Sequence, residues 1–423
     1  MLTLKESTML GDVPDDWDIK PLKAVLSDQM PGDWGDESGP NMFSVLRSTN
    51  LTNERRLDFS DVASRALDRE KVERLTPKKG DILLERSGGG PDQPVGRVGV
   101  VPEDLPGFAF SNFLHLLRPD ADQIDASFLS WVLFRINRTR RVLRLEQQTT
   151  QMRNLNFRDY LTMPLPVPSA DEQAAIARVL DAVDTAIAKA RAFANESQRF
   201  ERAVIASEFQ RLPGMDQRLR DFITDVRYGT SVAASGRGWG NPVLRIPNVV
   251  GNRLTLNDLA YVELPEIEVD RLQLRDGDLL LVRTNGNPSY VGRSVVFNAP
   301  DDRTWVYASY LIRVRLSAEL LPDYVNIFLG TEQGRRELLR RVTTSAGNNN
   351  INANNIKLVS IPVPRTQKEQ ERIVELARAC RERTDALERK LVALHKLKKS
   401  LMQDLLSGTK RIDPALFPQL LKE

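Results

Sequence analysis

The chain repeats itself. Gly80-Asp81-Ile82-Leu83-Leu84-Glu85-Arg86-Ser87 returns as Gly277-Asp278-Leu279-Leu280-Leu281-Val282-Arg283-Thr284. Val45-Leu46-Arg47 with Asn50 returns as Val243-Leu244-Arg245 with Asn248, and Val95-Gly96-Arg97 as Val291-Gly292-Arg293. Asn154-Leu155-Asn156 and Pro166-Val167-Pro168 return as Asn350-Ile351-Asn352 and Pro362-Val363-Pro364. Ordered matches at a nearly constant offset mark a tandem duplication, so one fold must be built twice. At 423 residues the chain has room for this, since a domain takes about 100–200 residues.

Both halves share a plan. Short apolar runs broken by Gly, Asn and Pro fit strands and loops. A Pro-Val-Pro junction follows, then a long stretch with little Gly or Pro. In the second stretch Ile373, Cys380, Leu387, Leu394 and Leu401 stand seven residues apart. In the first, Ile176, Val183, Ala190 and Val204 keep that spacing, with Ser197 interrupting and Ile187, Phe193 and Phe200 beside them. A seven-residue apolar repeat is the coiled-coil signature. Ser169 and Thr366 suit the N-caps, and Gly214 and Gly408 the stops. Each helix would span about 60 Å over roughly 40 residues. A leucine stripe also suits a core helix, but two helices that each close a repeat offer one another a partner. The expected fold is α+β. Two repeated α/β domains, 1–168 and 213–364, are separated by an antiparallel coiled coil of helices 169–212 and 365–408, and a tail covers 409–423. Such pairing would put the globular segments at opposite ends of a rod.

Further motifs carry a family likeness: Val13-Pro14-Asp15-Asp16-Trp17, the Gly-Asp strands, Pro164-Leu165-Pro166-Val167-Pro168 before Glu172-Gln173, and Leu397-Lys398-Lys399-Ser400-Leu401-Met402-Gln403-Asp404-Leu405-Leu406-Ser407-Gly408. In this order, over nearly the whole chain, they resemble the specificity subunit of type I restriction–modification systems. Ser169-Ala170-Asp171 departs from the family's usual proline-leucine-alanine. The resemblance implies two target-recognition domains, each reading one half of an asymmetric bipartite DNA sequence. It also implies helices that set the gap and dock two methyltransferase subunits, joined by two restriction/translocase subunits. S-adenosylmethionine, ATP and magnesium would sit on those partners and none on this chain, in a cytoplasmic complex that defends against phage.

Nothing in the residues argues for an enzyme. No phosphate-binding Gly-x-x-x-x-Gly-Lys-Ser/Thr loop occurs. Asn287-Pro288-Ser289-Tyr290 is similar to the base-holding motif of amino-methyltransferases but lacks its second proline and reads as a turn. Pro14-Asp15 with Asp18-Ile19-Lys20 reads as a turn and strand. His115, in an apolar run, reads as structural and His395 as solvated. One cysteine and two histidines make no usual zinc site. Mean hydropathy is −0.36, and no apolar run suits a membrane span.

Charge is nearly balanced, with 60 basic and 57 acidic residues, so distribution matters more than sum. Reading DNA needs Arg, Asn or Gln at base edges and cations or backbone N–H groups at phosphates. Gln147, Gln148, Thr150, Gln151 and Arg153 lie in one amide-rich stretch, and Asn348, Asn349 and Asn350 in its counterpart. These are either polar surface loops or readers of two different half-sites. Arg86 with Ser87, and Arg283 with Asn285 and Asn287, precede or enter Gly-containing turns that could hold DNA or be plain hairpins. Arg47, Arg245, Arg97 and Arg293 recur, so they support the fold or shared backbone contacts. Recurrence points to scaffold, divergence to readout. Two rivals stay open: a non-DNA coiled-coil scaffold, and a recognition subunit of a methylation-only or type IIB-like system.

Overall fold

The computed structural model describes residues 4–90, 92–148, 152–212, 217–236, 238–345 and 347–412. It divides into two compact units: 1–190 with 390–423, and 191–389. The cut falls within both long helices, so each unit takes part of each.

In the first unit, strands Leu26–Pro31, Leu114–Pro119, Ile82–Glu85 and Val98–Val100 form an antiparallel sheet in that order. Its counterpart in the second unit orders Ile223–Tyr228, Leu311–Leu316, Leu279–Val282 and Ser294–Val296. All four residues of Ile82–Glu85 and of Leu279–Val282 are buried. A strand normally alternates between core and solvent. Here Ile82 and Leu84 enter one apolar cluster while Leu83 enters another, and Leu279 and Leu281 part from Leu280 and Val282 in the same way. Both faces are covered, which explains the unbroken apolar runs.

A second sheet also recurs. Met42–Leu46 lies between Phe108–Phe110, parallel, and Ala63–Ala66, antiparallel. Asn241–Leu244 lies likewise between Val306–Tyr307 and Ala260–Val262. Where the chain enters, Gly32 and Gly229 pass so close to the neighbouring backbone that a Cβ would stand 2.2 Å from the Ser111 and Tyr307 carbonyl oxygens respectively. No side chain fits there.

The repeated Gly-Asp motif is a turn with a lock. Gly80 and Gly277 have φ of +88° and +85°, the region glycine favours. Asp81 and Asp278 then accept from the backbone N–H groups of Lys78 and Arg275. The same carboxylates hold Arg118 (2.7 Å) and Arg315 (2.7 Å) on the next strand.

The long helices are α1 (Ala170–Gln210) and α2 (Gln367–Leu405). Ser169 Oγ accepts from the Glu172 N–H at 3.4 Å, and Gly408 (φ +67°) follows the end of α2. Gly214 lies outside the described residues. Within the first unit Ile176, Ala177 and Leu180 share a core with Met402, Leu405 and Leu406, and Lys398 Nζ meets Asp184 at 2.5 Å. Within the second, Ile205 and Phe209 meet Ile373 and Ala377, while Glu201 pairs with Arg381 and Glu208 with Arg372. Early residues of α1 thus face late residues of α2 in the first unit, and late residues of α1 face early residues of α2 in the second. The pair is antiparallel.

The seam differs from expectation at Phe193, Phe200 and Ser197. Ile176, Ile187 and Ile373 are buried, and Val183, Val204, Cys380, Leu387, Leu394 and Leu401 are half-buried. Phe193, however, is 56% exposed, and Phe200 is also exposed. Alternating steps of four and three from Ile176 run through Leu180, Val183, Ile187, Ala190, Ala194 and Ser197, leaving Phe193 on the outer face. Ser197 does not interrupt the seam; it is buried in it, 3.0 Å from Thr384.

A glutamine ties each recognition fold to its helix. Gln173 Oε1 accepts from the Asp125 N–H at 2.7 Å, where helix Ala126–Arg138 begins, and its Nε2 donates to the Pro168 carbonyl. Gln370 does the same at the start of helix Pro322–Gly330, accepting from Leu321 and donating to the Glu319 carbonyl.

Candidate nucleic-acid interface

The two segments singled out in each half come together in a small sheet. In the first unit Ser87–Gly88 pairs with Arg153–Leu155, which pairs with Glu146–Gln148. In the second, Thr284–Asn285 pairs with Asn348–Asn350, which pairs with Thr343–Ser345. The amide-rich stretches, expected as loops, are hairpins added to the strand that follows Arg86 or Arg283. Thr150 and Gln151 lie outside the described residues.

Register aligns the two sheets residue for residue. One row reads Ser87, Asn154, Gln147 in the first unit and Thr284, Asn350, Thr343 in the second. The next reads Gly88, Arg153, Gln148 and Asn285, Asn349, Thr344. Only the central Asn154/Asn350 is shared. Facing residues in a row lie on the same side of a sheet, so the two units build the same backbone platform from different residues.

Arg86 and Arg283 stand at the entry of these sheets in equivalent settings. Arg86 donates its N–H to the Phe113 carbonyl and Arg283 to that of Tyr310, both at 2.8 Å. The Arg86 guanidinium lies over the Phe157 ring (5.6 Å) and that of Arg283 over Tyr228 (4.9 Å). Neither side chain makes an ion pair among the described residues. A cation held on an aromatic face keeps its donors for a ligand. Phe157 and Tyr228 were not foreseen. They lie far from their arginines in sequence, so no spacing reveals them.

Other candidates are committed to the fold. Arg47 and Arg245 each reach an aspartate and that same residue's carbonyl, Asp61 (2.9 Å) and Asp258 (3.0 Å) respectively. Asn50 and Asn248 accept the N–H of those arginines. Arg97 is gripped by both oxygens of Glu85 and by the Leu51 and Ser48 carbonyls. Arg97 thus spends Nε, Nη1 and Nη2 inside its own unit, whereas Arg47 and Arg245 hold the fold through Nη2 and their Nε atoms are buried without a hydrogen-bond partner. Arg153 is neutralised by Glu146 at 3.1 Å but stays on the sheet. Asn285 and Asn287 accept from N–H groups two residues on, so both shape the turn. Asn349 donates to the Asn285 and Gly286 carbonyls, and Asn350 to that of Asn348. Gln147 and Asn348 are exposed. Arg293 remains half-buried.

His115 is structural. Its Nε2 meets Gln29 Oε1, its ring lies 3.9 Å from that of Phe157, and burial with Arg86 nearby lowers its pKa to about 4. His395 is exposed on α2. Asn287-Pro288-Ser289-Tyr290 is a turn, with the Tyr290 N–H on the Asn287 carbonyl. Among the described residues no cluster of metal ligands occurs, and no helix is long and apolar enough to cross a membrane.

Comparison with known proteins places this architecture. Residues 35–192 match the family model for the type I restriction modification DNA specificity domain. The chain is 26% identical over 392 residues to the type I restriction enzyme EcoKI specificity subunit of Escherichia coli K12, covering 86% of this chain and 82% of that one. It is 23% identical over 425 residues to the StySPI specificity subunit of Salmonella potsdam, covering 94% and 89%. Among solved structures, a chain from work on complex assembly and conformational transition of the type I R-M system has a TM-score of 0.58 at 17% identity, with 94% and 99% covered. The type I S subunit of M. genitalium gives 0.55 at 13%, with 92% and 96% covered. These two show the fold. The curated relatives are specificity subunits of type I restriction enzymes. Motif order, duplicated fold and whole-length similarity agree: the chain is similar along most of its length to type I restriction–modification specificity subunits, and residues 35–192 match their DNA specificity domain.

Proposed function

We propose that each unit reads one half of a bipartite, asymmetric DNA target through its small sheet and the arginine at its entry. One observation supports this reading: matched rows of the two sheets set different residue types on the same backbone register. Two copies of one scaffold with divergent donors and acceptors suit two different sequences. Arg86 and Arg283 supply the forked donors suited to guanine, or hold a phosphate. Gln147 and Gln148, against Thr343 and Thr344, supply much of the difference.

The antiparallel helix pair would set the gap between half-sites and dock two methyltransferase subunits, with two restriction/translocase subunits completing a cytoplasmic complex. S-adenosylmethionine, ATP and magnesium belong to those partners on this reading. The test uses the chain with its methyltransferase partner and a duplex library randomised over the target. The reading expects two separated blocks of preference; removing seven residues from both helices should change the tolerated gap and neither block. A single contiguous block, or binding indifferent to sequence, would refute it.

A further inference from the structure

The two units differ in how one recurrent arginine is balanced. Arg97 and Arg293 stand opposite residues 85 and 282 in the same ladder: the N–H of Glu85 or Val282 donates to the arginine's carbonyl at 2.8 Å. In the first unit the facing side chain is Glu85, and Arg97 forms a two-pronged ion pair with it. In the second it is Val282, which is fully buried and accepts nothing.

Arg293 turns elsewhere. Its Nε donates to the Ser289 carbonyl at 3.1 Å, and its guanidinium lies 3.7 Å from the centre of the Tyr290 ring. A second cation meets the same oxygen, as Arg335 Nη2 donates to it at 3.2 Å. Arg335 Nη1 is buried with no partner. Nearby acidic residues are engaged otherwise: Glu332 faces Arg336, and Glu337 holds Arg340 and Arg341. Neither Arg293 nor Arg335 has a carboxylate within ion-pair range among the described residues. Two guanidinium groups therefore share one neutral carbonyl. Burial, with Arg293 beside it, lowers the Arg335 pKa from its usual value, as uncompensated like charge requires. No hydrogen bond of the described fold uses either Nη of Arg293.

We infer that Arg293, backed by Arg335 and seated on the Asn287–Tyr290 turn, is a phosphodiester-binding clamp that the second unit has and the first lacks. It rests on the DNA-reading proposal and adds an asymmetry to it: the second unit grips the backbone with a cation that the first keeps in an internal ion pair. Arg293 is the contact. Arg335 is a positioning residue, fixing the Ser289 carbonyl and supplying charge from behind. The site is sequence-blind, because it faces a charge and not a base edge.

The test is duplex binding by the chain with its methyltransferase partner between about 50 and 200 mM salt. Arg293→Ala should lower the salt slope by about 0.9, one phosphate's worth, with base preference unchanged. Val282→Glu restores the carboxylate of the first unit and should mimic it. Arg335→Met should weaken binding at low salt, and Arg97→Ala should leave the slope unchanged. Arg293 is at the surface, so its variant tests the idea even if a buried glutamate at 282 unfolds the unit. Unchanged slopes in Arg293→Ala, with target preference intact, would overturn the clamp and leave the DNA reading standing. Sequence-indifferent wild-type binding would overturn both. Stabilisation by millimolar inorganic phosphate that Arg293→Ala abolishes, with duplex binding unaltered, would overturn the phosphodiester assignment in favour of a free-anion site.

Discussion

Ser197 Oγ lies 3.0 Å from Thr384 Oγ1, both buried where α1 and α2 face one another. A polar pair in an otherwise apolar seam favours the one alignment that joins the two hydroxyls. Thr384 also donates to the Cys380 carbonyl at 3.2 Å, which keeps its rotamer fixed.

Thr384→Val should therefore cost about 1–3 kcal/mol, since it leaves the Ser197 hydroxyl buried without its partner. Ser197→Ala with Thr384→Val should recover most of that loss, as both polar groups then go together. Urea unfolding of the two single variants and the double variant measures the coupling.

Asp184 carries more. It accepts from Lys398 Nζ at 2.5 Å and lies 3.9 Å from Arg55, whose guanidinium is stacked 3.6 Å from the Trp131 ring centre. Asp184→Ala strands a buried cation and should cost about 3–5 kcal/mol. Asp184→Ala with Lys398→Met should be much milder. Equal losses in the two would show that the charge pair is not the cause.

His115 predicts an acid-sensitive first unit. The folded state keeps the ring neutral down to about 4, whereas an unfolded histidine takes a proton below about 6.5. The unfolded state thus binds more protons between those values. Stability should be level above about pH 6.5 and fall by up to about 3 kcal/mol as pH drops toward 4. His115→Ile, the residue that Ile312 presents at the matching strand position, should remove this component when unfolding midpoints are followed against pH.

Arg283 and Arg315 separate reading from scaffold. Arg283→Ala should cost about 1–3 kcal/mol of duplex binding and relax preference at one base pair, with the thermal midpoint little changed. Arg315→Ala breaks the lock on buried Asp278 and should lower the midpoint instead. Thermal unfolding beside a substitution-library binding assay distinguishes the two losses.

Much of this was legible in the sequence because duplication constrains it. Gly80-Asp81 and Gly277-Asp278 recur since a left-handed turn and a carboxylate lock are needed twice, and Arg47/Arg245 recur as matching ion pairs. Arg47, Arg97 and Arg245 recur, and each reaches partners within its own unit. Phe193 misled because hydrophobicity alone does not fix its place: one step along a helix turns a side chain by about 100°, out of the seam. The sheet joining residues 87–88 to 146–155 could not be read from spacing, because its partners are non-local. Nor could the release of Arg293. That followed from one exchange, Glu85 for Val282, on a facing strand.

The most direct test of the central claim is a duplex-library binding profile for two variants, each with the methyltransferase partner present. One exchanges Gln147 and Gln148 for Thr; the other exchanges Thr343 and Thr344 for Gln. Two independent readers predict that each variant alters one block of base preference and leaves the other intact. A variant that shifted both blocks together, or neither variant changing any preference, would contradict the account.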